Sequence, residues 1–513
     1  MTSIWLDRRE SFSSDPFQPG SAYDTVVAGA GLTGLVTALL LARSGQQVLV
    51  LEARHPGAVT TGNTTAKVSL LQGTVLSALA RQYSAKQVGA YVEANREGQA
   101  WLLRYLEEQG VPFQRRDAYT YAATAQGSER IREELTAAAT AGLDVDFVGD
   151  PGLPFPVQGA LKLADQAQIN PMDVLDALLA DFRSRGGMVV GGARLRDVSG
   201  SGPSTTVRTD RGNVTARHVV IATGTPVLDR GLYFAKLKPL RSYAAALDLP
   251  TDLTPPPGMY LSAEEPTHSL RDYEADGRRL LLVGGHGHHV GRTTSEKAHL
   301  DGLLSWAGTH FPGATPTHTW SAQDYQATNL MPFFGTMPRG RGRILFGTGY
   351  NKWGMTNAVA AALGISADIL GGQLPWADTI HHRVTSPAGA LSAVKLNARV
   401  AARLATGWGK VAADRSVAER AEPGAPTSSA PGGAPPADGE GKVYRDGKRP
   451  VAVSTVAGTT CKLSAVCTHL GGIVTWNDSE LTWDCPLHGS RFSSDGHLLE
   501  GPATKDLPRA DKG

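Results

Sequence analysis

Apolar and polar positions divide this 513-residue chain into regions of different rhythm. YDTVVA, Tyr23 to Ala28, is an apolar run that predicts a strand, and a helix is expected to follow through Ser44. A second strand is expected over Val48 to Leu51, closed by Glu52. QINPMDVLDALL, Gln168 to Leu179, carries a helix start, and VVIATGTP, Val219 to Pro226, reads as another strand. Late in the chain a strand at Ile344 to Phe346 runs through Gly347, Gly349 and Gly354 into a long helix from about Met355. AGALSAVKLNARVAARLA, Ala388 to Ala405, predicts a helical arm. Beyond residue 440 the rhythm changes. GKVYRDGKRPVAVSTVAG, Gly441 to Gly458, alternates and turns like short antiparallel strands.

Between these regions lies AEPGAPTSSAPGGAPPAD, Ala421 to Asp438, which has no large apolar side chain. Such a segment cannot bury enough surface to fold, and it predicts a tether with a coil span of roughly 20–25 Å. Acids and bases nearly balance, 48 against 50, which argues against nucleic acid as a partner. No run of about twenty apolar residues is present, so no transmembrane segment is expected. The polar N-terminus lacks the apolar core of a signal peptide, and three cysteines give no disulfide framework. Both point to a cytoplasmic location.

Two motifs carry chemistry. In the first, Gly29, Gly31 and Gly34 form G-x-G-x-x-G between the first strand and its helix. The glycines permit a tight turn and close approach of a pyrophosphate, the helix N-terminus stabilises its charge, and Glu52 can accept from a ribose hydroxyl. That order of strand, turn, helix and acid predicts a bound dinucleotide. LLLVGGHGHHVG, Leu280 to Gly291, is a weaker candidate for a second nucleotide turn, because Val290 stands at its third glycine position. Its His286, His288 and His289 read as a polar loop in preference to a metal site.

The second motif is CTHLGG…CPLHGS, with fifteen residues between its two Cys-plus-His pairs. Cys467 and Cys485 can supply thiolates to one iron of a 2Fe-2S cluster while His469 and His488 supply imidazoles to the other. Two Cys and two His also suit tetrahedral zinc, but zinc fingers usually pair like with like at short spacing. The motif and the downstream SRF and Gly501-Pro502-Ala503 segments resemble a Rieske domain over about the last 75 residues. Many members of that family carry a loop-tying disulfide at the positions of Gly472 and Leu487, so the resemblance implies that no such bridge forms here. Ser490 matches a hydroxyl that bonds toward the cluster sulfurs in high-potential members, whereas Phe492 replaces the corresponding tyrosine. A potential below that of quinol-oxidising Rieske proteins is therefore expected. Cys461 falls outside the pattern and reads as a buried strand thiol.

The Gly-rich first turn paired with the late Gly loop resembles the FAD-dependent glycine/D-amino-acid oxidase (DAO) superfamily over roughly residues 20–375. GAVTTGNTTAKVS (Gly57 to Ser69) and NKWGMTN resemble a subgroup whose members carry a C-terminal Rieske domain. The resemblance implies FAD and a Rieske 2Fe-2S cluster as cofactors. It places Thr65, Gly224, Gly349, Trp353, Gly354 and Met355 at the flavin beside Gly29, Gly31, Gly34 and Glu52. It also makes Lys67 and Lys352 the candidate catalytic residues. His55 reads as a turn residue beside Pro56, and Arg241 with Tyr243 as candidate contacts to a substrate carboxylate.

The expected fold is α/β: a Rossmann-like FAD-binding domain with an inserted α+β substrate domain, then an all-β Rieske domain. Its boundaries are expected at 1–385 for the flavin part, 386–420 for the helical arm, 421–438 for the linker and 439–513 for the Rieske part. The short Rieske part is expected to lack a closing strand. The expected activity is a dehydrogenase that takes a hydride equivalent from a small amine or amino acid and passes electrons singly through the cluster to an external acceptor. Two alternatives remain: a cluster that receives electrons from a donor protein and feeds the flavin, or one that serves as a sensing or docking module on an oxidase.

Overall fold

The computed structural model describes residues 1–7, 11–200, 202–275, 277–383, 387–413, 435–447 and 449–510. The first apolar runs lie at the centre of an eight-stranded sheet. Its path is Phe333–Thr336, Ile344–Thr348, Gly212–Ile221, Ala22–Ala28, Val48–Leu51 and Met188–Val190. All neighbours along it are parallel except the first pair. Register puts Val26 opposite both Val219 and Leu49. The strands alternate between two cores, which explains their continuous apolar sequence. Val27 and Val50 pack with helices Leu32–Arg43 and Gly354–Leu370, while Val26 and Leu49 pack with Leu195, Val207 and Tyr233 on the other face.

A nine-stranded, largely antiparallel sheet forms the inserted unit, its path beginning Thr315–Ala327, Leu237–Asp248, Arg278–His289 and His268–Ala275. The Leu280 to Gly291 stretch is no nucleotide turn. Gly284 and Gly285 sit inside its strand, paired with Ser269 and His268 on one side and Ala244 and Tyr243 on the other. Helix Pro171–Ser184 starts as its sequence signals, with the Asn170 side chain accepting from Met172 N.

The C-terminal unit has a three-stranded and a four-stranded antiparallel sheet. Its last residues do supply closure. Ser464 N donates to Pro508 O, Ala510 N to Lys462 O and Leu507 N to Gly496 O. The helix Pro387–Ala413 lays Val400, Leu404 and Val411 against this unit's core, and Asn397 Nδ2 donates to Ala235 O of the flavin unit. Residues 421–434 of the expected tether lie outside the described residues. The unit beyond them is packed on the flavin unit and held there by the contacts described below, in contrast to the free-swinging module that a tether suggests. Among the described residues no single helix is long and apolar enough to cross a membrane.

Candidate functional site

Gly29 adopts a φ of +108°, and at Gly34 a Cβ would overlap the Gly29 carbonyl oxygen. Glycine at both positions lets the Leu32–Arg43 helix start directly above the first strand, and that helix has no acid in its first turn to compete for its amides. Glu52 is fixed at the end of its strand by Ala30 N on Oε2 and Arg54 N on Oε1, both at 2.9 Å. Each oxygen keeps a lone pair for a ribose hydroxyl. The cavity above this turn is lined by Gly29, Gly31, Glu52, Gly224, Gly349, Gly354 and Met355. Gly34 packs beneath it.

A second cavity, of about 430 Å³, holds Thr65, Lys67, Tyr243, Lys352 and Trp353. Thr65 and Trp353 thus line this chamber and not the first. Ala66, at a φ of +54°, turns the chain after Thr65 toward the inserted sheet, where the Thr65 methyl group packs beside Gly284. Thr60, Thr64, Asp324, Lys352 and Met355 line both chambers and form their common wall. Lys67 Nζ donates to Tyr260 O at 2.7 Å, and burial, helped by the Arg271 charge, lowers its pKa to about 7. Burial also lowers Lys352. Asp324 accepts from Lys352 N, yet burial raises its carboxyl to about 6. Sequence reasoning passed over Asp324. It lies in the WSAQDYQATNLMPFFG stretch, where nothing separates it from a surface acid until the fold sets it between the two chambers.

Arg241 does bind carboxylates, but those of its own chain. It is fully buried and pairs with Glu480 and Asp484 of the C-terminal unit. Tyr243 Oη lies 3.1 Å from His288 Nε2. His55 contacts Pro56 O through Nδ1 and lines neither chamber, as its turn position suggests. His286 bonds His268, and His288 stacks on His299 at 4.3 Å.

The two cluster loops are closed by their own backbone: Cys467 N donates to Gly472 O and Cys485 N to Ser490 O, both at 2.8 Å. They bury both the Cys467 and Cys485 thiols, and the His469 and His488 rings lie 5.1 Å apart. His469 Nδ1 is buried without a partner, as a nitrogen reserved for iron would be. At Gly472 a Cβ would lie 2.7 Å from Leu487 Cδ1, so Leu487 fills the space where the loop-tying disulfide is absent. Ser490 Oγ accepts from Ala503 N at 2.9 Å, and Phe492 is fully buried.

The cluster loops meet the flavin chamber through few atoms. Gln323 Nε2 donates to Gly489 O at 2.8 Å, and Tyr325 Oη to Gly501 O at 3.3 Å. Between these two lies Asp324, on the common wall. Leu499, Glu500, Gly501 and Ala503 of the C-terminal unit themselves line the dinucleotide cavity. Phe234 packs edge-on against both ligand histidines, and His469 Nε2 lies 3.2 Å from Asp229 Oδ1.

The profile of the FAD dependent oxidoreductase family, DAO, matches residues 24–367. The chain belongs to that family. Residues 435–511 of the oxidoreductase match the Rieske [2Fe-2S] domain. Over 514 residues the oxidoreductase is 30% identical to the Rieske 2Fe-2S iron-sulfur protein YhfW of Bacillus subtilis (strain 168), covering 99% of this chain and 97% of that one. Its fold resembles glycine oxidase from Geobacillus kaustophilus (TM-score 0.58, 17% identity, 69% of this chain and 96% of that). It also resembles L-proline dehydrogenase from P. horikoshii (TM-score 0.56, 15% identity, 70% and 96%). The oxidoreductase therefore uses FAD and a Rieske 2Fe-2S cluster.

Proposed function

We propose that this oxidoreductase is a dehydrogenase of a small amine or amino acid that delivers electrons one at a time to an external acceptor. FAD supplies two-electron acceptance, and the cluster supplies one-electron exchange. The observation that carries the reading is the common wall. Asp324, Lys352 and Met355 face both the dinucleotide cavity and a second chamber large enough for a small substrate, and the residues flanking Asp324 bond the second cluster loop at Gly489 and the Gly501-Pro502-Ala503 segment.

The chain's own residues divide the work. Lys67, charged below about pH 7, offers an ammonium to a substrate carboxylate. Asp324, ionised above about pH 6, accepts the proton that a substrate amine must lose before its carbon can give up a hydride. Lys352 adds positive charge at the wall shared with the flavin chamber, where negative charge develops on reduction. Leu499 to Gly501 help exclude water from the cavity they line. The names of the fold's neighbours, a glycine oxidase and an L-proline dehydrogenase, support an amino acid as substrate class.

Anaerobic addition of individual amino acids and amines to the holoenzyme tests the reading. Flavin bleaching followed by loss of the oxidised cluster's visible absorption is expected for at least one of them. Bleaching that leaves the cluster oxidised would defeat the relay, and no bleaching by any amine or amino acid would defeat the substrate class.

A further inference from the structure

Five arginines, Arg196, Arg230, Arg339, Arg341 and Arg343, line a cleft of about 590 Å³ that holds only two acids, Asp197 and Asp229. Asp210, just outside the lining, pairs with Arg196 at 3.3 Å, so the cleft keeps a formal charge of +2, as much as the whole chain carries. Arg339 and Arg341 are exposed, on the turn between strands Phe333–Thr336 and Ile344–Thr348. Thr504 of the Rieske unit adds to the wall. Asp229, half exposed, is the residue whose carboxylate touches His469 Nε2 at 3.2 Å. Anything seated in the cleft is therefore one side chain away from a cluster ligand. All four ligands lie deep, the His469 side chain at 6% exposed, His488 at 5% and Cys467 and Cys485 at 2%, so the half-exposed Asp229 is the link from the cleft to one of them.

The surface next to that ligand is apolar. Leu470, adjacent to His469 in the chain, is 46% exposed, and Trp408, which donates to Gly471 O at 3.1 Å, is 40% exposed. An apolar spot beside a cluster of one sign of charge is the make-up of a transient, electrostatically steered interface.

We propose that this surface docks an acidic one-electron carrier protein. The proposal rests on the reading that the cluster exchanges electrons with an external partner, and it names that partner's chemistry. One electron crosses per encounter. The carrier and the cluster change oxidation state by one in opposite senses, and no bond forms or breaks. Docking is independent of the direction of flow.

The test uses oxidised holoenzyme and a pre-reduced plant-type ferredoxin, an acidic protein whose potential lies well below Rieske values. Their reaction is followed by the cluster's visible absorption. The second-order rate constant is expected to fall at least about tenfold between about 0.01 M and 1 M salt, as screening shortens from about 30 Å to about 3 Å. At low salt the exposed pair R339E/R341E is expected to lose about tenfold, with its flavin and cluster spectra unchanged. Dithionite-reduced enzyme mixed with cationic ferricytochrome c is expected to show no such loss in the variant. A rate that ignores both salt and the reversal overturns the proposal. So does tight binding of inorganic pyrophosphate in the cleft, which would mark a small-anion site. Neither result bears on the flavin-to-cluster relay, which the anaerobic substrate titration reads separately.

Discussion

Replacing Glu480 by Gln removes one of the two carboxylates, the other being Asp484, that receive both Arg241 of the flavin unit and Arg491 of the Rieske unit. The Arg241, Arg491 and Glu480 side chains are 1%, 8% and 18% exposed, so the change leaves buried cations short of a partner. Burial alone would raise the Glu480 carboxyl, but the Arg241 and Arg491 charges overcome it and hold the pKa at about 2. A fall from the usual 4.5 to about 2 corresponds to about 3 kcal/mol at 1.36 kcal/mol per decade. Breaking a buried pair costs a similar 3–5 kcal/mol or so. The sign follows from the depressed pKa: this stability is complete above about pH 4.5 and is lost as pH falls toward 2. The assay is urea titration at pH 7, with flavin fluorescence reporting FAD release and the visible band reporting the cluster. For E480Q the flavin transition is expected to move to lower urea by the equivalent of about 3 kcal/mol, and the gap from wild type should shrink near pH 3. A cycle with Arg241→Met separates the contact between units from the one within the Rieske unit. A shift under about 0.5 kcal/mol at pH 7, or no coupling in the cycle, would refute the reasoning.

Three further outcomes are expected. KM for an amino-acid substrate should rise above about pH 7 as Lys67 loses its proton, and Lys67→Met should remove that dependence. Asp324→Asn should lower the flavin reduction rate by about 10²–10⁴-fold, and in the wild type that rate should climb through about pH 6 as the carboxyl ionises; pre-steady-state absorbance reads both. Because Leu499 to Gly501 line the FAD cavity, a chain ending at residue 413 should bind FAD at least tenfold more weakly by equilibrium dialysis, and unchanged affinity would contradict the shared cavity.

The two cofactor motifs were legible because each requires its residues close in sequence. The strand, turn and helix around Gly29 to Gly34 are local, and the four candidate cluster ligands fall on two short loops. The late Gly349 to Met355 turn was legible for the same reason, since a strand and a helix flank it directly. What failed was whatever depends on long-range pairing. Arg241 has the look of a substrate-binding cation, and only the docking of a unit some 240 residues later gives it Glu480 as a partner. Gly284 and Gly285 look like a turn until flanking strands pair with them. Asp324 became a candidate only once the fold had set it between two chambers, and Asp229 once a candidate cluster ligand had come to rest beside it. The Pro-rich composition of 421–438 suggests an independent module, but it carries no information about the surface that module meets.

The Rieske unit is seated on the dinucleotide cavity and lines part of it, which predicts electron transfer between the cofactors within one molecule. Rapid photoreduction of the flavin in anaerobic holoenzyme, with cluster absorbance followed over a tenfold range of protein concentration, tests this most directly. The account predicts cluster reduction as a first-order process whose rate constant does not change on dilution. A rate constant proportional to protein concentration, or a cluster that stays oxidised while the flavin is reduced, would contradict it.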